Sequence, residues 1–199
     1  DVVIQAMLNH RDDVQIQFRG SWVLGIIGVN EDNKLYIGEN GGVDVIVRSM
    51  FVYPNDLGIQ EKACRALWTL SVNHQNRYSI VKAEAIPAIV VAMQKHASVP
   101  EIQERGCGVL CNLVANDDNI KIQIVDEGAL DVIVMAMVLH GENEKIQERA
   151  VALLYKLCIP ENVSRMINAN VSPMMAVVAE TFPDCEEKAS YVLTQLEES

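Results

Sequence analysis

The sequence predicts an all-α protein built by stacking similar helical units. Three observations predict it. First, Gln17, Gln60, Gln103 and Gln147 recur at spacings of 43, 43 and 44 residues, each inside a related segment: Ile16-Gln17-Phe18-Arg19, Ile59-Gln60-Glu61-Lys62, Ile102-Gln103-Glu104-Arg105 and Ile146-Gln147-Glu148-Arg149. Second, an independent series keeps the same register. Asp1-Val2-Val3-Ile4 through Met7 matches Asp44-Val45-Ile46-Val47 through Met50, Pro87-Ala88-Ile89-Val90 through Met93, and Asp131-Val132-Ile133-Val134 through Met137. Third, hydrophobic residues make up 50% of the chain but aromatics only 5%. Aliphatic wealth of that kind suits packed helices better than a β-sandwich. A fixed period in the 20–50 range is the signature of a repeat array, because one unit cannot bury its apolar face alone.

Each period predicts three helices. The first is short, as at Asn119 to Glu127, with Ile120, Ile124 and Val125 at helical spacing and Gly128 as a stop. Gly41 closes the equivalent helix two repeats earlier. The second runs from Asp44 or Asp131 to the repeated methionine, its acidic or proline start suiting a helix N-terminus. The third starts near each Ile-Gln and carries Ala63, Leu67 and Leu70 on one face. His140 to Glu144 separates the second helix from the third. Asn73-His74-Gln75-Asn76 and Asn116-Asp117-Asp118-Asn119 are expected turn and cap residues. The repeats fall at about 1–30 (partial), 31–73, 74–116, 117–160 and 161–199, in one array over 1–199 with no internal linker. A worn copy of the Ile-Gln segment stands at Cys185-Glu186-Glu187-Lys188-Ala189. The first repeat lacks its first helix, which predicts a fragment of a longer protein or a covered N-terminal end. The polar Glu197-Glu198-Ser199 suits a C-terminal cap.

Charge narrows the function. Asp and Glu number 27 against 16 Lys and Arg, a net charge of −11. Such a field repels phosphate, so neither nucleic acid nor anionic lipid is an expected partner. The longest apolar runs are far shorter than the roughly 20 residues a membrane-spanning helix needs. No basic leader precedes the first apolar residues. Five cysteines, an odd number outside any short loop-rich framework, suit a reducing setting, cytoplasmic or nuclear.

The Gly41-Gly42-Val43 and Glu127-Gly128-Ala129-Leu130 junctions, the second-helix apolar run, and the core Ile102-Gln103-Glu104-Arg105-Gly106-Cys107-Gly108-Val109-Leu110-Cys111-Asn112-Leu113 resemble armadillo repeats over essentially the whole chain. HEAT repeats overlap this length but usually have two helices, and the short glycine-stopped first helix favours armadillo. The resemblance implies a right-handed α-solenoid of about four and a half repeats. It also implies a concave groove, lined by the third helices, that holds an extended peptide or a partner domain. In the family's best-known groove each third helix carries a Trp and, four residues on, an Asn. Carried over, the rungs are Trp22 with Ile26, Arg65 with Thr69, Gly108 with Asn112, Ala152 with Lys156, and Tyr191 with Gln195. One rung keeps the Trp and a different one keeps the Asn, so the pattern that holds nuclear-import signals is not kept.

The expected function is therefore a non-catalytic interaction module or scaffold binding a protein or peptide partner. Its anchors are Phe18, Trp22 and Tyr191, since aromatic side chains dominate hot spots. Arg65, Asn112 and Lys156 are expected to hydrogen-bond the partner, and the acidic balance points to basic residues on it. An autoinhibitory or small-GTPase-binding part of a larger signalling protein, as in formins, is the alternative, followed by self-assembly through the uncapped N-terminal end. Glu61, Glu104, Glu148 and Glu187 form an acidic row beside Arg19, Lys62, Arg105, Arg149 and Lys188, and exposed rows of this kind are usually ion-paired or solvated.

No cofactor, metal or catalytic residue is expected. Cys107 and Cys111 share a helix face but have no ligand-spaced partner nearby, so burial is the simpler reading. His10, His96 and His140 recur in register just past the methionine. Repeats about 10 Å apart are too distant to share a metal, and a helix C-terminus suits His. The methionines are expected in the core. Trp68, off the ladder, is expected to pack between repeats. The Asn162-Val163-Ser164 and Asn170-Val171-Ser172 glycosylation patterns carry no weight without a secretory signal. Gly25 and Gly28 lie in a helix, and no phosphate loop, GxSxG or HExxH is present.

Overall fold

A computed structural model describes residues 1–115 and 117–198. Among these residues the regular structure is helical: fourteen α-helices and one 3-10 turn. In order they are α1 (Val2–Asn9), α2 (Val14–Ile27), α3 (Glu31–Glu39), α4 (Gly42–Val52), α5 (Leu57–Ser71), α6 (His74–Lys82), α7 (Ala85–Lys95), α8 (Pro100–Val114), α9 (Asp118–Asp126), α10 (Ala129–Leu139), α11 (Glu144–Leu157), α12 (Pro160–Asn168), α13 (Val171–Thr181), the 3-10 turn Pro183–Cys185, and α14 (Glu186–Glu197). From α3 onward the lengths cycle: 9 residues, then 11, then 12 to 15. This is the short, medium and long triplet that the period predicts. None of the described helices is long and apolar enough to cross a membrane.

The chain forms two compact units. One is Asp1–His96, holding α1 to α7, and the other begins at Ala97 and holds α8 to α14. In the first unit Ile46, Ile59, Leu67, Leu70, Ile86 and Ile89 are buried; in the second, Ile102, Leu110, Ile133, Ile146 and Leu154 are. The repeated methionines Met7, Met50, Met93 and Met137 are all buried in these cores.

Local chemistry sets the helix ends. Gly41 and Gly128 adopt left-handed backbone at φ 80° and 81° just before α4 and α10, where a Cβ would be strained. The second helices therefore start two residues earlier than expected. Asp44, Pro87 and Asp131 sit inside the first turn rather than at the cap. Their charge or fixed φ still suits that turn. The third helices also start about two residues before the Ile-Gln pair, because Asp13, Asp56 and Asn143 cap them through side-chain oxygens. Asn73 and Asp117 cap α6 and α9, so His74, Gln75, Asn76, Asp118 and Asn119 are helical rather than turn residues. Asn116 and Ser199 lie outside the described residues.

The glutamines that mark the period have a structural task. The Gln60 amide nitrogen donates to the carbonyls of Met50 (3.0 Å) and Tyr53 (2.9 Å). Gln17 does the same to Met7 and His10, and Gln147 to Met137 and His140. One side chain thus satisfies two carbonyls that the end of the second helix leaves without intrahelical partners. A second set of bonds links neighbouring repeats. The Tyr53 hydroxyl donates to the Arg11 carbonyl, His96 Nε2 lies 3.1 Å from the Pro54 carbonyl, and His140 Nε2 lies 2.8 Å from the Ala97 carbonyl. Facing a carbonyl, each Nε2 carries the hydrogen. His96 and His140, with Tyr53 at the equivalent position, therefore staple neighbouring repeats together.

Candidate functional site

The expected groove residues lie on the third helices, and each unit presents its own surface. In the first, α2 and α5 pack closely. A Cβ on Gly25 would stand 3.2 Å from the Ala66 Cα, so glycine allows the near approach. Trp22 and Ile26 project from α2 one turn apart and remain 44% and 45% exposed. Phe18 is half-buried, its ring 6.4 Å from that of Trp22. A Cβ on Gly58 would come within 3.1 Å of that ring, so Phe18 lies over the start of α5. Arg65 is exposed. Thr69 is half-buried, and its hydroxyl donates to the Arg65 carbonyl at 3.0 Å.

In the second unit α8, α11 and α14 carry the rungs. Gly108 is buried and offers no side chain, while Asn112 and Gln195 are half-buried. Lys156 reaches from α11 to α8, where its ammonium donates to the Cys111 carbonyl at 3.0 Å. One of its three donors is thus committed within the protein. Tyr191 is 45% exposed and meets Tyr155 edge to face, ring centroids 5.0 Å apart. That geometry is favourable between aromatic rings. The ladder reading passes over Tyr155. The available signal is its place three residues after Ala152, on the same helical face.

The charged row is partly paired on its own helix, since Lys62 contacts Glu61 at 2.9 Å. Trp68 is half-buried beside the ladder. Cys107 is fully buried, and burial pushes its thiol pKa up to about 12, which makes it a poor nucleophile or ligand. Asn162 of the first glycosylation pattern is buried, and its amide donates to the Leu157 carbonyl at 3.0 Å. No glycan can be added there without unfolding. At the N-terminal end Val2, Val3, Ala6, Ile16 and Val23 line an apolar cavity of about 220 Å³.

Comparison with solved structures places the fold. The chain is similar to a designed armadillo repeat protein at TM-score 0.81 and 14% identity, covering 98% of this chain and 80% of that one. It is similar to another designed armadillo repeat protein, solved in complex with the peptide (KR)4, at TM-score 0.79 and 13% identity, with the same coverage. It is also similar to the armadillo repeats only protein of Plasmodium falciparum, at TM-score 0.77 and 19% identity, covering 91% of this chain and 80% of that one. A search of curated proteins by sequence found no match. The family model described as LRRK2 ARM repeat matches residues 1–196. The three-helix repeats, their in-register caps and this match establish that the chain belongs to the LRRK2 ARM repeat family.

Proposed function

We propose that this chain is a non-catalytic interaction module whose third-helix surfaces bind a segment of a partner protein carrying basic residues. The observation that carries the reading is the pair of exposed aromatic clusters. Trp22, backed by the half-buried Phe18, in one unit, and Tyr155 and Tyr191 in the other, leave large rings facing solvent on third helices. Exposing such area is costly unless a partner covers it, and aromatic residues are preferred anchors of interfaces. The net charge of −11 favours a basic partner. The similar designed protein solved with (KR)4 supports this reading by analogy of fold. A reducing compartment suits the chain, since Cys64, Cys107 and Cys185 are packed in its cores.

The experiment is an anisotropy titration of fluorescently labelled (KR)4 against the wild type, Trp22→Ala and Tyr191→Ala, with circular dichroism to confirm folding. We expect the wild type to bind and each variant to lose roughly tenfold in affinity, about 1.4 kcal/mol. Equal binding by all three proteins refutes the reading.

A further inference from the structure

The described surface of the second unit carries another patch, away from the aromatic clusters. Helix α10 turns Val132, Ile133, Ala136 and Met137 into the core and leaves Met135, Val138 and Leu139 more than half exposed. Those three stand at i, i+3 and i+4, one stripe on a helix. The corresponding positions of α7 hold Val91, Gln94 and Lys95, of which Gln94 and Lys95 are solvated polar residues. In α4 the same positions hold Arg48, Phe51 and Val52, the last two exposed, so α4 keeps two apolar positions of the stripe and α10 fills all three. Val138 and Leu139 open onto a groove of about 860 Å³ that continues along His140, Gly141, Glu142 and Asn143 to Glu144 and Lys145.

The far end of the groove is strongly acidic. Carboxylate oxygens of Glu144, Glu148 and Asp184 lie within 4.8 Å of one another. Glu142, Glu180 and Asp131 are exposed nearby in sequence, with Lys145 and Lys188 as the flanking cations. The field registers at the buried Cys185 thiol. Burial raises it, and Glu148, Asp184 and Glu144 raise it further against the opposing pull of Lys188. Like charges at that spacing repel, and a cation placed among them removes the repulsion.

We infer that the α10 stripe, its groove and the Glu144, Glu148 and Asp184 carboxylates form a second docking surface for an amphipathic basic segment of a partner protein. One apolar side chain of that segment rests on Val138 and Leu139. A Lys or Arg sits among the three carboxylates. The groove between them fixes the order of the two anchors. Charge complementarity selects this occupant, because an acidic or purely apolar segment leaves the carboxylates facing their own repulsion.

The test titrates the isotope-labelled full chain with an amidated peptide of sequence LKKLLKLLKKLLKL and follows the backbone amide resonances. Shifts are expected along α10, the 140–145 turn, the start of α11 and Pro183–Cys185. Val138→Glu, and separately the triple variant Glu144→Gln, Glu148→Gln, Asp184→Asn, are expected to bind about tenfold more weakly, while Tyr78→Ala, at an exposed position of α6, binds as the wild type does. These positions are surface groups, and a native amide spectrum of each variant verifies its fold. Shifts confined to α8, α11 and α14 near Asn112, Lys156 and Tyr191 overturn the inference. So does a Val138→Glu variant that binds like the wild type, or a wild type that does not bind.

Discussion

Replacing Gln60 by Leu tests the link between the repeat signature and stability. The wild-type amide nitrogen holds the Met50 carbonyl at 3.0 Å and the Tyr53 carbonyl at 2.9 Å, and the side chain is 1% exposed. Leucine fills a similar volume but donates nothing. The Met50 carbonyl is then buried without that donor, at a cost of about 1–3 kcal/mol, and the Tyr53 carbonyl, which keeps the Asp56 N–H at 3.1 Å, adds roughly 1 kcal/mol for its lost second bond. Burying a leucine in place of an amide returns about 1 kcal/mol. The net expectation is a loss of about 2 kcal/mol, or a Tm lower by roughly 4–8 °C for a chain of this size. Urea denaturation followed by helical circular dichroism measures it, with an unchanged slope as the control. Gln60→Glu sharpens the test. An ionised carboxylate cannot donate and faces two carbonyls, so its folded-state pKa is raised. Its stability is then greatest below the unfolded value of about 4.3 and falls as pH rises through the raised value. A Leu variant as stable as the wild type, or a Glu variant insensitive to pH, refutes the capping account.

Two further predictions concern packing and the buried thiol. A Cβ on Gly38 would stand 1.9 Å from Asn76 Oδ1, and the Asn76 amide is fixed by the Lys34 and Leu70 carbonyls. Gly38→Ala should cost about 1–3 kcal/mol despite its better helix propensity. Gly20→Ala presses on the Met7 side chain, whose torsions can yield, at a place where other repeats carry Ala63 and Ala150. It should change stability by no more than about 1 kcal/mol. Parallel thermal melts distinguish the two. Cys107, held neutral to about pH 12 by burial, should react with a thiol reagent at pH 8 only as fast as the protein opens. Because its folded pKa is raised, its contribution to stability is present below the unfolded value of about 8.5 and lost as pH rises towards 12. Prompt labelling of Cys107 in the native protein contradicts this.

The period was legible because stacking forces equivalent positions to face equivalent neighbours. Met7, Met50, Met93 and Met137 were therefore readable as core, and Gln60 as a marker. What Gln60 bonds was not readable, since its acceptors lie seven and ten residues back at the end of another helix. Helix starts were misplaced by two residues for a similar reason. The left-handed glycines and the Asp and Asn caps decide them, not the first apolar residue of the pattern. Asn33, Asn76, Asn119 and Asn162 repeat at 43-residue spacing, a signal as plain as the glutamines. Its use at Asn76, which reaches the Lys34 carbonyl of the previous repeat, required coordinates. The ladder located Trp22 and Tyr191 but missed Tyr155, because aromatic pairing joins residues of neighbouring helices that the ladder treats as separate rungs.

The most direct measurement of the central claim is the emission of Trp22 during titration with (KR)4, in a Trp68→Phe background so that one indole reports. Trp22 is 44% exposed on α2. If a partner segment covers the third-helix surface, its emission shifts to the blue and saturates with the same midpoint as the anisotropy of the labelled peptide. If the peptide binds by anisotropy while Trp22 emission stays unchanged, binding lies elsewhere and the claim for that surface fails.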